Sequence, residues 1–342
     1  MKRLLLVLFI TTISACTPQE ESALHVAISP YQDIAMLVNI EPLGLDEKYG
    51  LDVELQTMAW EDILPAIASH GTTIDIGFGS LTEFLTKERA LNNGVSDPVV
   101  FIYPAYIYKG GGFAAMNESV PDLSQDIDTL TARKLLGLRI GAQKNSIYEM
   151  MLFTLAKRVG ISQDSLNIVD ISLNDGLLAL ENGSLDVAAV GLTQRAEIEK
   201  QGGRIILTME SLGFADVTGF ITTQSTLDER RQDVDTLLRM WFDSVDYVLS
   251  DIPAHSTASL EYLRTHAATQ YTLESYSTAL AQEFFPRNIQ QVRNDILAPG
   301  SKYDFSRISK EIVAYLLDNN VVSETPMLPT PLPLEPGPTT SK

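Results

Sequence analysis

Aromatic and polar side chains that could bind a small molecule stand at a few short segments of the sequence. Tyr31 follows an apolar segment, and Trp60 precedes Glu61, while Ser80 and Ser146 each stand three residues before a glutamate. That last spacing is typical of a capping box at a helix start, where free N–H groups and the helix dipole favour anions. An indole beside a carboxylate instead suits a flat ring that carries an amine. Both ligand classes stay open at this point.

Motifs of common catalytic and metal sites are missing from the sequence. It contains no G-x-S-x-G, no H-E-x-x-H, no Walker lysine loop and no paired C-x-x-C, and its four histidines have no ligand spacing. The glycines at 110–112 lack the downstream glycine of a dinucleotide fingerprint. We therefore expect no catalytic residue, no metal and no cofactor in this protein.

Composition indicates a folded chain and argues against a nucleic-acid partner. The 342 residues are 45% hydrophobic and 20% charged, which is typical of globular proteins, and the length allows about two domains. Lys and Arg number 25 against 44 Asp and Glu, a net charge of -19. A groove for phosphate backbones would have to form against that negative field.

The N-terminus has the pattern of an export signal. Two basic residues precede an apolar run at 4–10 that is too short to span a bilayer, and small residues follow it. Residues 13–16 resemble the bacterial lipobox, and Cys16 is the single cysteine of the chain. We expect a signal peptide over 1–15 that is removed, lipidation of Cys16 that anchors the mature protein to a membrane, and a lipidated leash over 16–23 between the lipid and the fold.

From residue 24 onward, strand and helix patterns alternate, which favours an α/β fold with mainly parallel sheets. Residues 66–77 resemble residues 179–188: each segment ends a helix at a glycine and then enters an apolar strand. Two similar lobes follow from this repeat. Strand-like segments at 99–116 and 216–223 are candidates for crossings between them, although a flexible hairpin around the glycines at 110–112 is an alternative.

These patterns give the predicted domain limits. Lobe I takes residues 24–109 and 218–324, and lobe II takes residues 110–217. The sequence after residue 226 has helical patterns, and beyond residue 324 it is rich in proline and has no periodicity. We expect residues 325–342 to form a disordered tail.

A resemblance to a known family covers roughly residues 24–250. Residues 44–55, 66–80, 138–146 and 180–189 resemble the substrate-binding proteins of ABC importers, in the NMT1/THI5-like branch that includes binders of nitrate, taurine, alkanesulfonates and thiamine precursors. The resemblance implies the type II periplasmic binding protein fold, with two doubly wound lobes joined by two crossing segments. It also implies a periplasmic monomer that takes up a small-molecule ligand and meets ABC permease subunits.

Candidate ligand contacts follow from the rule that open α/β sheets bind ligands beyond the carboxyl ends of their strands. The expected ligand-binding residues are Ser29, Tyr31, Trp60, Glu61, Gly79, Ser80, Asn145, Ser146, Tyr148 and Thr193. Packing of the two aromatic rings, or plain capping by the two serines, is an alternative for each.

Three functions remain open at the level of sequence. The first is a solute-binding lipoprotein that delivers its ligand to an inner-membrane permease. A sensory solute receptor for a membrane signalling partner is the second. The third is an enzyme like the pyrimidine synthases to which the family resemblance extends, and it would need histidine and metal chemistry that the sequence does not display.

Overall fold

The computed structural model describes residues 23–69, 73–267 and 270–335. Cys16, the expected signal peptide and most of the leash lie outside the described residues, so lipidation stays a prediction. None of the helices in the described ranges is both long and apolar enough to cross a membrane.

Strands and helices alternate through most of the chain, as expected. The strands are β1 Leu24–Ile28, β2 Val53–Thr57, β3 Ile76–Ser80, β4 Val99–Tyr108, β5 Gly112–Ala115, β6 Arg139–Ala142, β7 Asn167–Asp170, β8 Val187–Val190, β9 Arg204–Thr208 and β10 Asp216–Thr223. The α-helices are α1 Leu45–Tyr49, α2 Trp60–Ala68, α3 Leu81–Asn92, α4 Thr129–Ala132, α5 Ile147–Val159, α6 Leu173–Glu181, α7 Leu192–Lys200, α8 Met209–Leu212, α9 Gln224–Glu229, α10 Arg231–Ser250, α11 Ile252–His255, α12 Thr257–His266, α13 Leu273–Gln282, α14 Ile289–Val292 and α15 Phe305–Asp318.

Two sheets of the same design form the two lobes. The first has the strand order β2-β1-β3-β10-β4 and the second β7-β6-β8-β5-β9. Each has a parallel trio, extended by two antiparallel pairings through β10 or β5. The sheets are thus mixed rather than mainly parallel, because β5 and β10 enter from the opposite lobe and run against their neighbours.

The internal repeat seen in the sequence holds at the level of single hydrogen bonds. Asp75, just before β3, accepts the His25 N–H of β1 at 2.8 Å, and the Asp75 N–H returns a bond to the His25 carbonyl at 3.0 Å. Asp186, just before β8, makes the same pair with Arg139 of β6 at 2.8 and 3.0 Å. Each aspartate therefore fixes the start of two neighbouring parallel strands in its own lobe.

Crossing segments connect the lobes where β4 leads into β5 and where β9 leads through α8 into β10. Glu283 holds the first crossing, since its Oε2 accepts the Lys109 N–H at 2.6 Å. A Cβ atom on Gly110 would stand 2.1 Å from Leu192 and 2.6 Å from Glu283 Oε1, so close packing requires glycine there. The structure thus has a packed crossing rather than a flexible hairpin. Burial raises the pKa of Glu283 well above its ordinary value.

The C-terminal half completes lobe I. Trp241 of α10 is fully buried, with its ring 5.2 Å from Phe78 of β3 and 6.1 Å from Phe220 of β10. Beyond α15 the chain is extended, and Leu332 N–H donates to the Ile102 carbonyl of β4 at 2.9 Å. Residues 325–335 therefore pack on the lobe, which differs from the disorder that we expected for them. Residues 336–342 lie outside the described part.

The failed expectation has a simple physical reason. Proline removes backbone donors and breaks periodicity, which makes a segment read as unstructured, yet it leaves the chain extended. Leu332 and Leu334 alternate with prolines and are 8% and 2% exposed. The burial of these two side chains supplies a driving force that a periodicity rule does not detect.

Candidate functional site

A cavity of about 520 Å³ lies between the two lobes. It opens where β1, β2 and β3 of one sheet and β6 and β8 of the other come to their carboxyl ends. Its described lining comes from both lobes: Pro30, Tyr31, Gln32, Asp33, Thr57, Met58, Ala59, Trp60, Glu61, Ser80, Glu83, Lys87, Tyr106, Tyr108, Gln143, Lys144, Asn145, Ser146, Ile147, Tyr148, Ser172, Leu173, Asn174, Gly191, Leu192, Gln194, Asp216, Thr218, His266, Ala267 and Tyr271.

Aromatic rings form one wall on the side of lobe I. Tyr31 and Trp60 meet edge to face with ring centroids 6.3 Å apart. The Trp60 indole N–H donates to Glu83 Oε2 at 3.0 Å, and Glu83 Oε1 pairs with Lys87 at 2.6 Å. These bonds hold the indole in one orientation beside the cavity. Burial, then the charges of Glu61 and Asp33, raise the pKa of Tyr31 to about 12.

A buried carboxylate lies deeper in the same lobe. Asp33 is 4% exposed; its Oδ2 accepts the Tyr106 hydroxyl at 2.5 Å and its Oδ1 accepts the Ile34 N–H at 3.0 Å. Burial raises the pKa of Asp33, while the bond from Tyr106 opposes that rise. Asp33 therefore places an acidic group within the cavity wall.

A second buried carboxylate occupies the N-terminus of α3. Ser80 Oγ accepts the Glu83 N–H and donates to Asp216 Oδ2 at 2.5 Å. Asp216 Oδ1 accepts the N–H groups of Thr82, at 3.3 Å, and of Val217, at 2.8 Å. Burial raises the pKa of Asp216 to about 6 despite these bonds.

The equivalent helix start in lobe II is also occupied by the chain itself. Ser146 Oγ donates to the Gln143 carbonyl at 2.6 Å and accepts the Tyr148 N–H at 3.3 Å. The Asn145 N–H, on a residue with a φ of 57°, donates to Glu149 Oε2 at 2.8 Å. The start of α5 is therefore capped by Ser146, which precedes the helix, and Glu149 of its first turn binds the loop before it.

Two tyrosines join the lobes behind the cavity. The hydroxyl groups of Tyr108, on β4, and Tyr148, on α5, lie 2.9 Å apart. Tyr148 also packs edge to face on Phe113 of β5, with ring centroids 6.3 Å apart. Burial raises the pKa of both phenols well above 10, so each keeps its proton and can serve as a donor at neutral pH.

Most of the expected ligand-binding residues come together at this cavity. Those that line it are Tyr31, Trp60, Glu61, Ser80, Asn145, Ser146 and Tyr148. Ser29 and Gly79 lie behind the wall: Ser29 Oγ donates to the Met58 carbonyl at 2.8 Å, and a Cβ on Gly79 would meet Ile221 at 3.1 Å. The side chain of Thr193 lies outside the described part, between Leu192 and Gln194 of the lining. Direct ligand contact by all ten stays a prediction.

Several lining residues were not predicted from the sequence. Tyr106 and Tyr108 of β4, and Asp216 and Thr218 of β10, come from the crossing strands, whereas our search covered only the ends of parallel strands. Their spacing of two residues, which puts both members of each pair on one face of a strand, was the available signal. Within the described residues, no three His, Cys, Asp or Glu side chains are grouped so as to hold a metal ion.

Both the sequence and the fold are similar to those of known proteins. The family model described as the NMT1-like family matches residues 17–261. Among curated proteins, no significant match was found. The fold is similar to that of the periplasmic aliphatic sulphonate binding protein SsuA from Escherichia coli, with 14% identity, coverage of 91% of this chain and 93% of that one, and a TM-score of 0.66.

Two further structures extend this likeness. A ligand binding component of an ABC-type import system from Staphylococcus aureus, with zinc bound, has 13% identity, coverage of 91% and 97%, and a TM-score of 0.64. The desulfurization enzyme DSZB has 16% identity, coverage of 90% and 96%, and a TM-score of 0.55. At such low identity these structures establish a shared fold, which here is that of periplasmic binding proteins.

Proposed function

The chain belongs to the NMT1-like family, and from this premise we propose that it is a solute-binding protein that holds a small molecule between its two lobes. The observation that carries the proposal is the cavity of about 520 Å³, lined from both lobes by tyrosine, tryptophan and polar side chains. Its size falls within the range of sites that enclose small ligands. A ligand there would touch both lobes at once, so its binding would favour a closed arrangement.

The setting of this protein is a second part of the proposal. We propose export through the signal peptide at 1–15, anchoring through lipid on Cys16, and work as a monomer in the periplasm. The lobe limits, at 24–109 with 218–324 and at 110–217, are likewise proposed. Delivery to ABC permease subunits would follow capture, and the proposal assigns no catalytic step to the chain.

Binding itself can be tested by a thermal-shift screen followed by calorimetry. A ligand that binds only the folded state raises its stability, by about 2.7 kcal/mol at a concentration of 100 Kd. We expect Trp60→Ala to weaken the binding of any such ligand by about 1 to 3 kcal/mol, because it removes a ring from the cavity wall. Asp62→Ala, which changes an exposed residue of the same helix outside the lining, serves as the control. Equal affinity of both variants would place the ligand elsewhere.

Anchoring and delivery need a separate test. Cys16→Ser should move the protein from the membrane fraction to the soluble periplasmic fraction, since it removes the site of acylation. Retention of the variant in membranes would contradict the anchor. Uptake of the ligand by cells that carry or lack the protein distinguishes transport from sensing: a pure receptor leaves the uptake rate unchanged.

A further inference from the structure

We infer that the cavity binds an organic cation, a protonated amine carried on a compact ring, and rejects the oxyanions that its helix N-termini would suit. The inference rests on the proposed solute-binding function and specifies its ligand class. Three independent features of the cavity support it: the occupancy of its helix N-termini, the balance of its charges, and its aromatic wall.

The helix N-termini offer little to an anion because side chains of the protein already engage polar groups at each of them. At α3, the Asp216 carboxylate takes the Thr82 N–H and the Ser80 hydroxyl. At α5, Glu149 Oε2 takes the Asn145 N–H, and the Ser146 hydroxyl points to a backbone carbonyl. An incoming sulfonate or nitrate would have to displace a carboxylate of like charge from α3, where that carboxylate is buried.

The remaining charges around the cavity are predominantly negative. Its described lining contains the carboxylates of Asp33, Glu61, Glu83 and Asp216, no arginine, and the two lysines Lys87 and Lys144. Lys87 pairs with Glu83 at 2.6 Å, and Lys144 is exposed at the rim. A bound cation would favour the ionised form of Asp33, which burial disfavours, whereas a bound anion would disfavour that form further.

Asp33 has both the capacity and the surroundings to bind an amine. Each of its carboxylate oxygens accepts one hydrogen bond from the chain, and such an oxygen can accept two. Tyr31 and Trp60 line the cavity from the same lobe, and their rings meet edge to face with centroids 6.3 Å apart. Aromatic rings next to a carboxylate attract a cation and stack on the flat group that carries it.

Calorimetry with matched probes tests the inference. Benzylamine, phenethylamine and tryptamine provide the cations; benzyl alcohol, phenethyl alcohol and tryptophol are their neutral counterparts; phenylmethanesulfonate, 2-phenylethanesulfonate and indole-3-acetate are the anions. We expect the tightest amine to bind at least tenfold more tightly than its alcohol, and the anions to bind most weakly. An anion or an alcohol that binds as tightly as its amine would overturn the inference.

Variants test whether the acidic side chains of the cavity wall are responsible for the affinity for amines. Asp33→Asn should lower the affinity for the amine at least tenfold and keep the affinity for the matched alcohol within twofold. Asp62→Asn, outside the lining, should change neither affinity. Because Asp33 is buried, Glu61→Gln at the exposed rim provides a second variant, with an expected loss of about threefold. Full amine affinity in both folded variants contradicts the inference.

The outcomes separate this inference from the proposed function. Binding of anions or neutral compounds that Trp60→Ala abolishes would overturn the ligand class and preserve the solute-binding role. A folded protein that binds none of the nine probes would overturn the ligand class alone, whereas the solute-binding role would fall only if the wider thermal-shift screen also found no ligand.

Discussion

The two lobes share one strand order, yet they face the cavity with different chemistry. The sheet of lobe I and its helices and loops present the carboxylates and most of the large rings, among them Asp33 and Trp60, whereas lobe II presents amides and hydroxyls such as Asn145, Ser146 and Gln194 beside the ring of Tyr148. Strand order is set by the buried strands, while the residues beyond the strand ends are free to differ. The comparison teaches that a scaffold used twice can carry two different sets of side chains: under the ligand class that we propose, lobe I would select the charge and lobe II would supply neutral polar contacts.

A second contrast concerns packing. Trp241 belongs to the main apolar core that extends through the molecule, and it is buried against the sheet of lobe I. A separate, smaller cluster in lobe II contains Leu180, Leu185 and Ile198. If this contrast determines stability, equivalent truncations in the two places should differ in cost.

Trp241→Ala is expected to have the largest effect. It removes a fully buried ring that touches Phe78 and Phe220, so the free energy of unfolding should fall by about 3 to 5 kcal/mol. Leu180→Ala should cost about 2 kcal/mol, because it removes a smaller side chain from the smaller cluster. Urea unfolding of both variants measures the difference, and an equal cost would remove the contrast.

Asp216→Asn should alter how stability depends on pH. The pKa of Asp216 is raised to about 6 in the fold from an ordinary 3.8, so this group contributes stability below about pH 4 that is lost as the pH rises through 6. The free energy of unfolding of the native protein, minus that of Asp216→Asn, should therefore fall by about 3 kcal/mol over the whole titration, of which about 2 kcal/mol is lost between pH 4 and pH 6.

Urea titrations at several pH values provide that measurement. Asp170→Asn at an exposed position of lobe II is the matched control and should show no such change. A difference curve for Asp216→Asn that stays flat from pH 4 to pH 6 would mean that the carboxylate is not held in a desolvated site.

Leu334→Ala examines the segment that extends lobe I beyond its last helix. Leu334 is 2% exposed, so its truncation should cost about 2 to 3 kcal/mol if residues 325–335 pack as described. Met327→Ala, at a side chain that is 75% exposed in the same segment, should change stability by less than about 0.5 kcal/mol. Equal and negligible effects of both would restore the disordered tail that the sequence suggested.

The sequence anticipated the α/β alternation and the repeat because both are local patterns of apolar residues and glycines. Asp75 and Asp186 stood in the two aligned copies, and the structure shows why: each ties its own pair of strands. The antiparallel placement of β5 and β10 could not be predicted from local patterns, since the direction of a crossing strand depends on which lobe the chain leaves. Burial of Leu334 was hidden for a similar reason, as its partners lie far away in sequence.

The cavity shows the same division between local and distant information. Ser80 and Ser146 were identified correctly as helix starts, because capping is a contact between near neighbours. The sequence did not predict that other side chains would already occupy these helix starts: Asp216, which binds Ser80 at the first one, lies 136 residues away in sequence. A serine that appeared open to an anionic ligand is thus already engaged by the chain, and this distant contact is one of the observations behind the cation that we infer, where the sequence had left both ligand classes open.

The two helix starts give the smallest predicted difference and the sharpest comparison between the lobes. Ser80→Ala removes a cap and also takes a donor from the buried Asp216 carboxylate, so it should cost about 2 kcal/mol. Ser146→Ala removes a cap whose hydroxyl donates to a loop carbonyl, that of Gln143, and should cost about 1 kcal/mol.

Urea unfolding of each serine variant combined with Asp216→Asn separates the contribution of capping from that of the bond to Asp216. The cost of Ser80→Ala should shrink to that of Ser146→Ala once the charge is gone, because capping alone then remains; a cost that persists would show that Asp216 does not depend on the Ser80 hydroxyl.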